Sequence, residues 1–192
     1  MTAAELFELP DVRTLFPALL PHVSVEEYER MGDLGILDQR TELIRGVIIK
    51  KMPKSPLHAS IATTLHQIIF PVAVPGTLVR QEQPLKFADS EPEPDIAVVR
   101  GERREFLSEH PRRADFVIEV AVTTLALDRA NAALYAENGV AEYWIIIANQ
   151  QAIEVYRRPE GGTYQEKSVH GADEEVTCGV FPKIRIKAAA LL

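Results

Sequence analysis

What the chain lacks limits its function first. It has one cysteine, Cys178, in 192 residues, which excludes an internal disulfide and a multi-cysteine metal site. No apolar run approaches the roughly 18 residues that a transmembrane helix needs. The opening MTAAELFELP has neither the basic nor the apolar stretch of a signal peptide, so an intracellular, cytoplasmic protein is expected, with no membrane partner. Positive charge is scarce: 21 Lys and Arg against 28 Asp and Glu give a formal charge of −7, and composition alone carries no footprint for nucleic acid. The phosphate loop G-x-x-x-x-G-K-[ST], the fingerprint G-x-G-x-x-G and the elbow G-x-S-x-G are missing, as are internal repeats and low-complexity tracts.

The composition that remains is that of a globular protein, 46% hydrophobic and 26% charged, of a length that suits one domain with a real core. The chain is organised around Phe116–Val122, read FVIEVAV. Four of its residues are Val or Ile, which predicts a strand buried on both faces. Glu119 stands in its middle. A carboxylate in such a strand needs a positive neighbour, either an Arg, a Lys or a metal ion.

Residues 1–23 read as an irregular, proline-bearing arm, and 24–192 as a single domain. Ser24-Val25-Glu26-Glu27 has the form of a capping box, predicting a short helix to about Met31 that stops at Gly32. Glu42–Lys50 reads as a strand or tight hairpin with Gly46 at a turn or bulge. A helix is expected over 56–70 from the spacing of Leu57, Ile61, Leu65, Ile68 and Ile69; its His58 and His66 read as ordinary surface or boundary histidines. Thr77–Phe87 alternates like a strand, with Pro84 marking an edge or bulge. Asp95–Val99 is a short strand opened by an acid. The stretch 100–113, with five arginines, reads as a solvated loop or, alternatively, a phosphate-facing patch.

A helix from about Asp128 ends at Gly139. The strand Tyr143–Ile147 pairs with Ile153–Tyr156 as a hairpin. Trp144 and Tyr135 read as core, and Cys178 as lying at a strand end rather than in a nucleophilic site. This order predicts an α/β or α+β domain, with one mixed sheet flanked by helices.

Asp95 and Glu119 are 24 residues apart, enough for a strand, a loop and the return. Neighbouring strands lie roughly 4.8 Å apart, so both carboxylates can share one cation. Mg²⁺ suits such a pair, because it takes oxygen ligands and keeps several waters. The alternative is that each acid pairs with an arginine or caps a turn; Arg129 is one candidate partner for Glu119.

An ordered series of short motifs runs through the chain: Glu42-Leu43-Ile44-x-Gly46-Val47, Met52-Pro53, His58, Glu93-Pro94-Asp95-Ile96, Val117-Ile118-Glu119-Val120, Asp128-Arg129, Leu134-Tyr135-Ala136, Gly139-Val140 and Glu142-Tyr143-Trp144-Ile145-Ile146. In this series the chain resembles the Uma2 family, which has the PD-(D/E)XK core of restriction endonucleases. The resemblance covers about residues 24 to 158. It implies a restriction-endonuclease-like fold and metal-dependent hydrolysis of DNA phosphodiesters. Asp95 and Glu119 would hold Mg²⁺ (or Mn²⁺), with the Val120 carbonyl as a further ligand, and Glu42 would complete the acidic cluster or orient a water. Cleaving both strands of a duplex would take two sites, hence a homodimer.

One position departs from the pattern. The superfamily's usual lysine, two residues after the acid, is Ala121 here, and the family's own lysine, four residues before the tyrosine, is Asn131. Asn131 can hydrogen-bond a water or phosphate but brings no charge. Asp128, Asn131 and Tyr135 share a helical face, while Lys50, Lys51 and Lys86 are alternative sources of charge. Two readings follow: an endonuclease, or a non-catalytic nucleic-acid- or protein-binding module that keeps the nuclease fold.

Overall fold

The computed structural model describes residues 22–37 and 40–192. The arm expected over residues 1–23 therefore lies, but for its last two residues, outside the described residues. The chain falls into two compact units, one of residues 1–51 with 88–91 and one of 52–87 with 92–192.

In the first unit, helix α1 spans Val25–Asp33 and starts at the expected capping box. The Ser24 hydroxyl accepts from the Glu27 N–H at 3.2 Å, and the Glu27 carboxylate accepts from the Ser24 N–H at 2.8 Å. The helix passes Gly32 and ends two residues later than the sequence suggests. Strands β1 (Thr41–Ile44) and β2 (Val47–Lys50) form an antiparallel hairpin. Its two-residue turn puts Arg45 at φ 50° and Gly46 at φ 72°. Two positive φ values define the turn whose twist matches that of the strands.

The second unit is built on a six-stranded sheet in the order β3 (Thr77–Gln81), β4 (Ile96–Arg100), β5 (Phe116–Ala121), β6 (Glu142–Ile147), β7 (Ala152–Glu160), β8 (Thr163–His170). Every neighbouring pair is antiparallel except β5 and β6, which are parallel. A parallel pair needs a crossover, and α3 (Leu125–Glu137) provides it. Helix α2 (Pro56–Ile69) is capped by Ser55, whose hydroxyl accepts from the His58 N–H at 3.2 Å. A small pair, β9 (Val176–Thr177) with β10 (Arg185–Ile186), follows the sheet.

Alternation along the strands gives the sheet two buried faces. Ile96, Val98, Phe116, Ile118, Val120, Trp144 and Ile146 pack with Ile61, Leu65 and Ile69 of α2. Burying each such large side chain is worth about 1.5–3 kcal/mol. The intervening residues, Val117, Glu119, Tyr143 and Ile145, look the other way, and there the Tyr143 ring meets Tyr135 of α3 at 4.8 Å. The architecture is thus the expected mixed sheet with a helix on each face.

Other boundaries differ from the sequence reading as well. The strand expected over 77–87 ends at Gln81, because Glu82 takes the left-handed conformation, φ 53°, and Pro84 follows. Helix α3 begins at Leu125, a turn before Asp128.

Two acids inside the sheet have permanent partners. Glu142 accepts from Arg157 at 2.8 Å, from the Trp144 indole at 2.7 Å and from the Gly179 N–H at 2.6 Å. Cys178, buried beside it, has its thiol pushed up to about 12 by burial and the Glu142 charge, so it is no nucleophile at neutral pH. Glu154 is gripped by Arg129 through both carboxylate oxygens, by the Tyr156 hydroxyl at 2.7 Å and by Lys167 at 3.2 Å. Burial pushes the Glu154 carboxyl up, but these partners outweigh it and hold it at about 2.

A carboxyl lowered on folding stabilises above its unfolded value and loses that contribution as pH falls through its folded one. Urea titrations should therefore show stability dropping between about pH 4.5 and pH 2 by on the order of 2 kcal/mol from this group. Glu154→Gln should remove that part of the slope; an unchanged slope in the variant contradicts the assignment.

Candidate metal centre

Asp95 lies one residue before β4. The β4–β5 register pairs Ile96 with Ile118, so the next step along brings Asp95 opposite Glu119. The two residues interlock through backbone donors. The Asp95 N–H donates to Glu119 Oε2 at 3.2 Å, and the Val120 N–H donates to Asp95 Oδ2 at 2.8 Å. Asp95 is buried, 5% exposed, whereas Glu119 is only half-buried. The strand is apolar on both faces, as its composition predicts, but its acid is not sealed inside.

Three residues complete the surroundings of Asp95. His58, in the first turn of α2, has Nε2 3.0 Å from Asp95 Oδ2. Lys54, just before the Ser55 cap, has Nζ 3.0 Å from Asp95 Oδ1 and 2.8 Å from Glu82 Oε1. Glu82 stands there because the β3–β4 ladder runs one step past Gln81: its N–H donates to the Asp95 carbonyl at 3.1 Å while its φ of 53° turns the chain away. A non-glycine residue in that conformation is strained.

The charges respond to this packing. Burial pushes the Asp95 carboxyl up. The His58 hydrogen bond, the Lys54 ammonium and the Val120 N–H outweigh it and hold the carboxyl below the usual aspartate range. Burial likewise favours loss of the Lys54 proton, but Asp95 and Glu82 outweigh that and raise its pKa.

On the other side, Tyr135 of α3 is fully buried and donates its hydroxyl to Glu119 Oε1 at 2.8 Å. Tyr135 is core, as expected, and a positioning contact as well. Asp128, Asn131 and Tyr135 share the buried face of α3. The Asp128 carboxylate takes the Thr124 hydroxyl at 2.7 Å, and the Asp128 carbonyl takes the Tyr143 hydroxyl at 2.9 Å. Arg129, a candidate partner for Glu119 from sequence, commits its guanidinium to Glu154 instead. Glu42 lies on β1 of the first unit, opposite Ile49, and Lys50 and Lys51 belong to that unit too. Lys86 is buried in the second unit.

Lys54 and Glu82 are absent from the sequence expectations, and His58, one of the motif residues, is expected there only as a surface or boundary histidine. The available signal was local: a lysine next to a helix cap, four residues before a histidine in the first turn. Ligand atoms of His58, Glu82 and Asp95 all lie within 4.8 Å of one another. Around a small cation at about 2.1 Å, ligand atoms stand roughly 3–4 Å apart. A positive group, the Lys54 ammonium, already fits between two of these carboxylates. Two carboxylates and an imidazole are donor types that a divalent ion takes.

A family model for Uma2, described as "Putative restriction endonuclease", matches residues 25–189. Among solved structures, one from Anabaena variabilis, described as "a putative nuclease belonging to DUF820", superposes with a TM-score of 0.70. It is 22% identical, covers 88% of this chain and 97% of its own, and at that identity speaks for the fold. No curated protein matches the chain.

A hydrogen bond to a charged group contributes about 1.5–3 kcal/mol, and Glu119 keeps some solvent. Tyr135→Phe should thus lower stability by about 1–2 kcal/mol in urea unfolding. A midpoint equal to wild type would mean that the tyrosine hydroxyl does not hold Glu119.

Proposed function

This chain belongs to the Uma2 family, and from that premise we propose that it is a divalent-metal-dependent endonuclease hydrolysing DNA phosphodiester bonds, with Asp95 at the centre of its site. The observation that carries the reading is the convergence on Asp95: the Glu119–Val120 strand interlocked with it, and His58 and Glu82 beside it.

Asp95 and Glu119, with the Val120 carbonyl, would hold Mg²⁺ or Mn²⁺; Glu82 and His58 are the further donors at hand. An imidazole in the set favours Mn²⁺ over the harder Mg²⁺. When bound, such an ion polarises a phosphoryl oxygen and lowers the pKa of water. The chain's own residues do the positioning. The Val120 N–H fixes the Asp95 carboxylate, while the Asp95 N–H and the Tyr135 hydroxyl fix that of Glu119. Asn131 offers a neutral hydrogen bond to water or phosphate. Duplex cleavage would take two such sites, and a homodimer would provide them.

The test is calorimetry with Mn²⁺ and Mg²⁺ alongside nicking of supercoiled plasmid. Wild type should bind Mn²⁺ more tightly than Mg²⁺ and nick the plasmid. Asp95→Ala and Glu119→Ala should bring the binding heat to baseline and slow nicking by at least about 100-fold. A wild-type protein that binds neither ion ends this reading. Asn131 favours a second one, a non-catalytic nucleic-acid- or protein-binding module; intact plasmid across both metals would support it.

A further inference from the structure

We propose that Lys54 is the built-in occupant of the metal site: its ammonium bridges Asp95 and Glu82 in the metal-free protein, yields them to a divalent ion, and then supplies the phosphate with the charge that Asn131 does not bring. The proposal rests on the nuclease reading above and deepens it.

The geometry carries it. The ammonium is 3.0 Å from Asp95 Oδ1 and 2.8 Å from Glu82 Oε1, two of the three residues whose ligand atoms cluster for a cation. A divalent ion on those oxygens and an ammonium between them would repel at contact distance, where protein screens charge less than water does. One must leave for the other to enter. Lys54 is built to leave. It sits outside α2, ahead of the Ser55 cap and Pro56, and its charge is on a flexible four-carbon stem. Its anchor stays at the site, so the displaced ammonium stays tethered beside whatever phosphate binds there.

Three basic groups beside the sheet's buried acids have fixed work. Arg129 and Lys167 neutralise Glu154, and Arg157 neutralises Glu142. These acids lie inside the sheet and keep their partners. Lys54 instead bridges to an acid at the surface, Glu82, 37% exposed where Glu142 and Glu154 are sealed, so water can take the ammonium's place there.

The experiment compares the full chain with Lys54→Met, and with Lys54→Gln as a second variant should Met disturb folding. Mn²⁺ is titrated by calorimetry, and plasmid nicking is followed at saturating Mn²⁺. Removing the competing charge should tighten Mn²⁺ binding by about ten-fold while slowing nicking by about 100-fold or more. Adding Asn131→Lys to Lys54→Met should restore part of the nicking, since charge returns from α3. Unchanged or weaker Mn²⁺ binding in both Lys54 variants overturns this proposal alone, as does undiminished nicking. Absence of Mn²⁺ binding in wild type and variants alike overturns the nuclease reading, and this proposal with it.

Discussion

Removing a carboxylate from water costs several kcal/mol unless opposite charge and hydrogen bonds meet it where it stands. Asp95 is nearly sealed, and the elements around it are placed so that this cost is met. The β4–β5 register aims the Val120 N–H at it, the first turn of α2 brings His58, and the loop before the α2 cap brings Lys54. Even the strained backbone at Glu82 belongs to this arrangement, since the Glu82 N–H closes on the Asp95 carbonyl. The net result is a carboxylate that stays ionised at neutral pH in spite of its burial.

The same sheet holds two other buried acids, and the contrast with them separates structure from function. Glu142 is met by Arg157, and Glu154 by Arg129 with Lys167 beside it; the planar fork of arginine matches a carboxylate and its charge is permanent. Such pairs tie strands and helices together around acids that are sealed from water. Asp95 is met by a lysine and a histidine, both from the approach to one helix or its first turn, with a second, more exposed carboxylate sharing the lysine. On the proposed reading, that arrangement keeps a cation site charged but replaceable. Glu119 is intermediate: hydrogen-bonded by Tyr135 and the Asp95 N–H, yet half-exposed.

Much of this was legible in the sequence wherever regular elements carry the signal. The capping box at Ser24, the turn at Arg45-Gly46, the helix after Pro56 and the apolar strand around Glu119 follow from periodicity, caps and turn chemistry. The approach of Asp95 to Glu119 follows from two short strands and the loop between them. The rest of the candidate site was hidden because it is made at the ends of elements. Lys54 precedes a cap, His58 lies in a first turn, and Glu82 sits where β3 breaks off. Periodicity reports on faces, whereas the contacts of these three are set by where an element starts or stops. Alternation over 77–87 even disguised Glu82 as an ordinary strand residue. Arg129 shows the converse: its helical position was readable, but its partner Glu154 lies on β7, a pairing that only the sheet order reveals.

On the proposed reading the Asp95 carboxylate holds one cation at a time, Lys54 or a divalent ion. The most direct measurement is a crystal structure of the full chain soaked with Mn²⁺, with anomalous scattering recorded at the manganese edge. The expected result is an anomalous peak against the carboxylate of Asp95, with the Lys54 ammonium turned away from Asp95 and Glu82. A map with no peak there and Lys54 still bridging the two acids would contradict it.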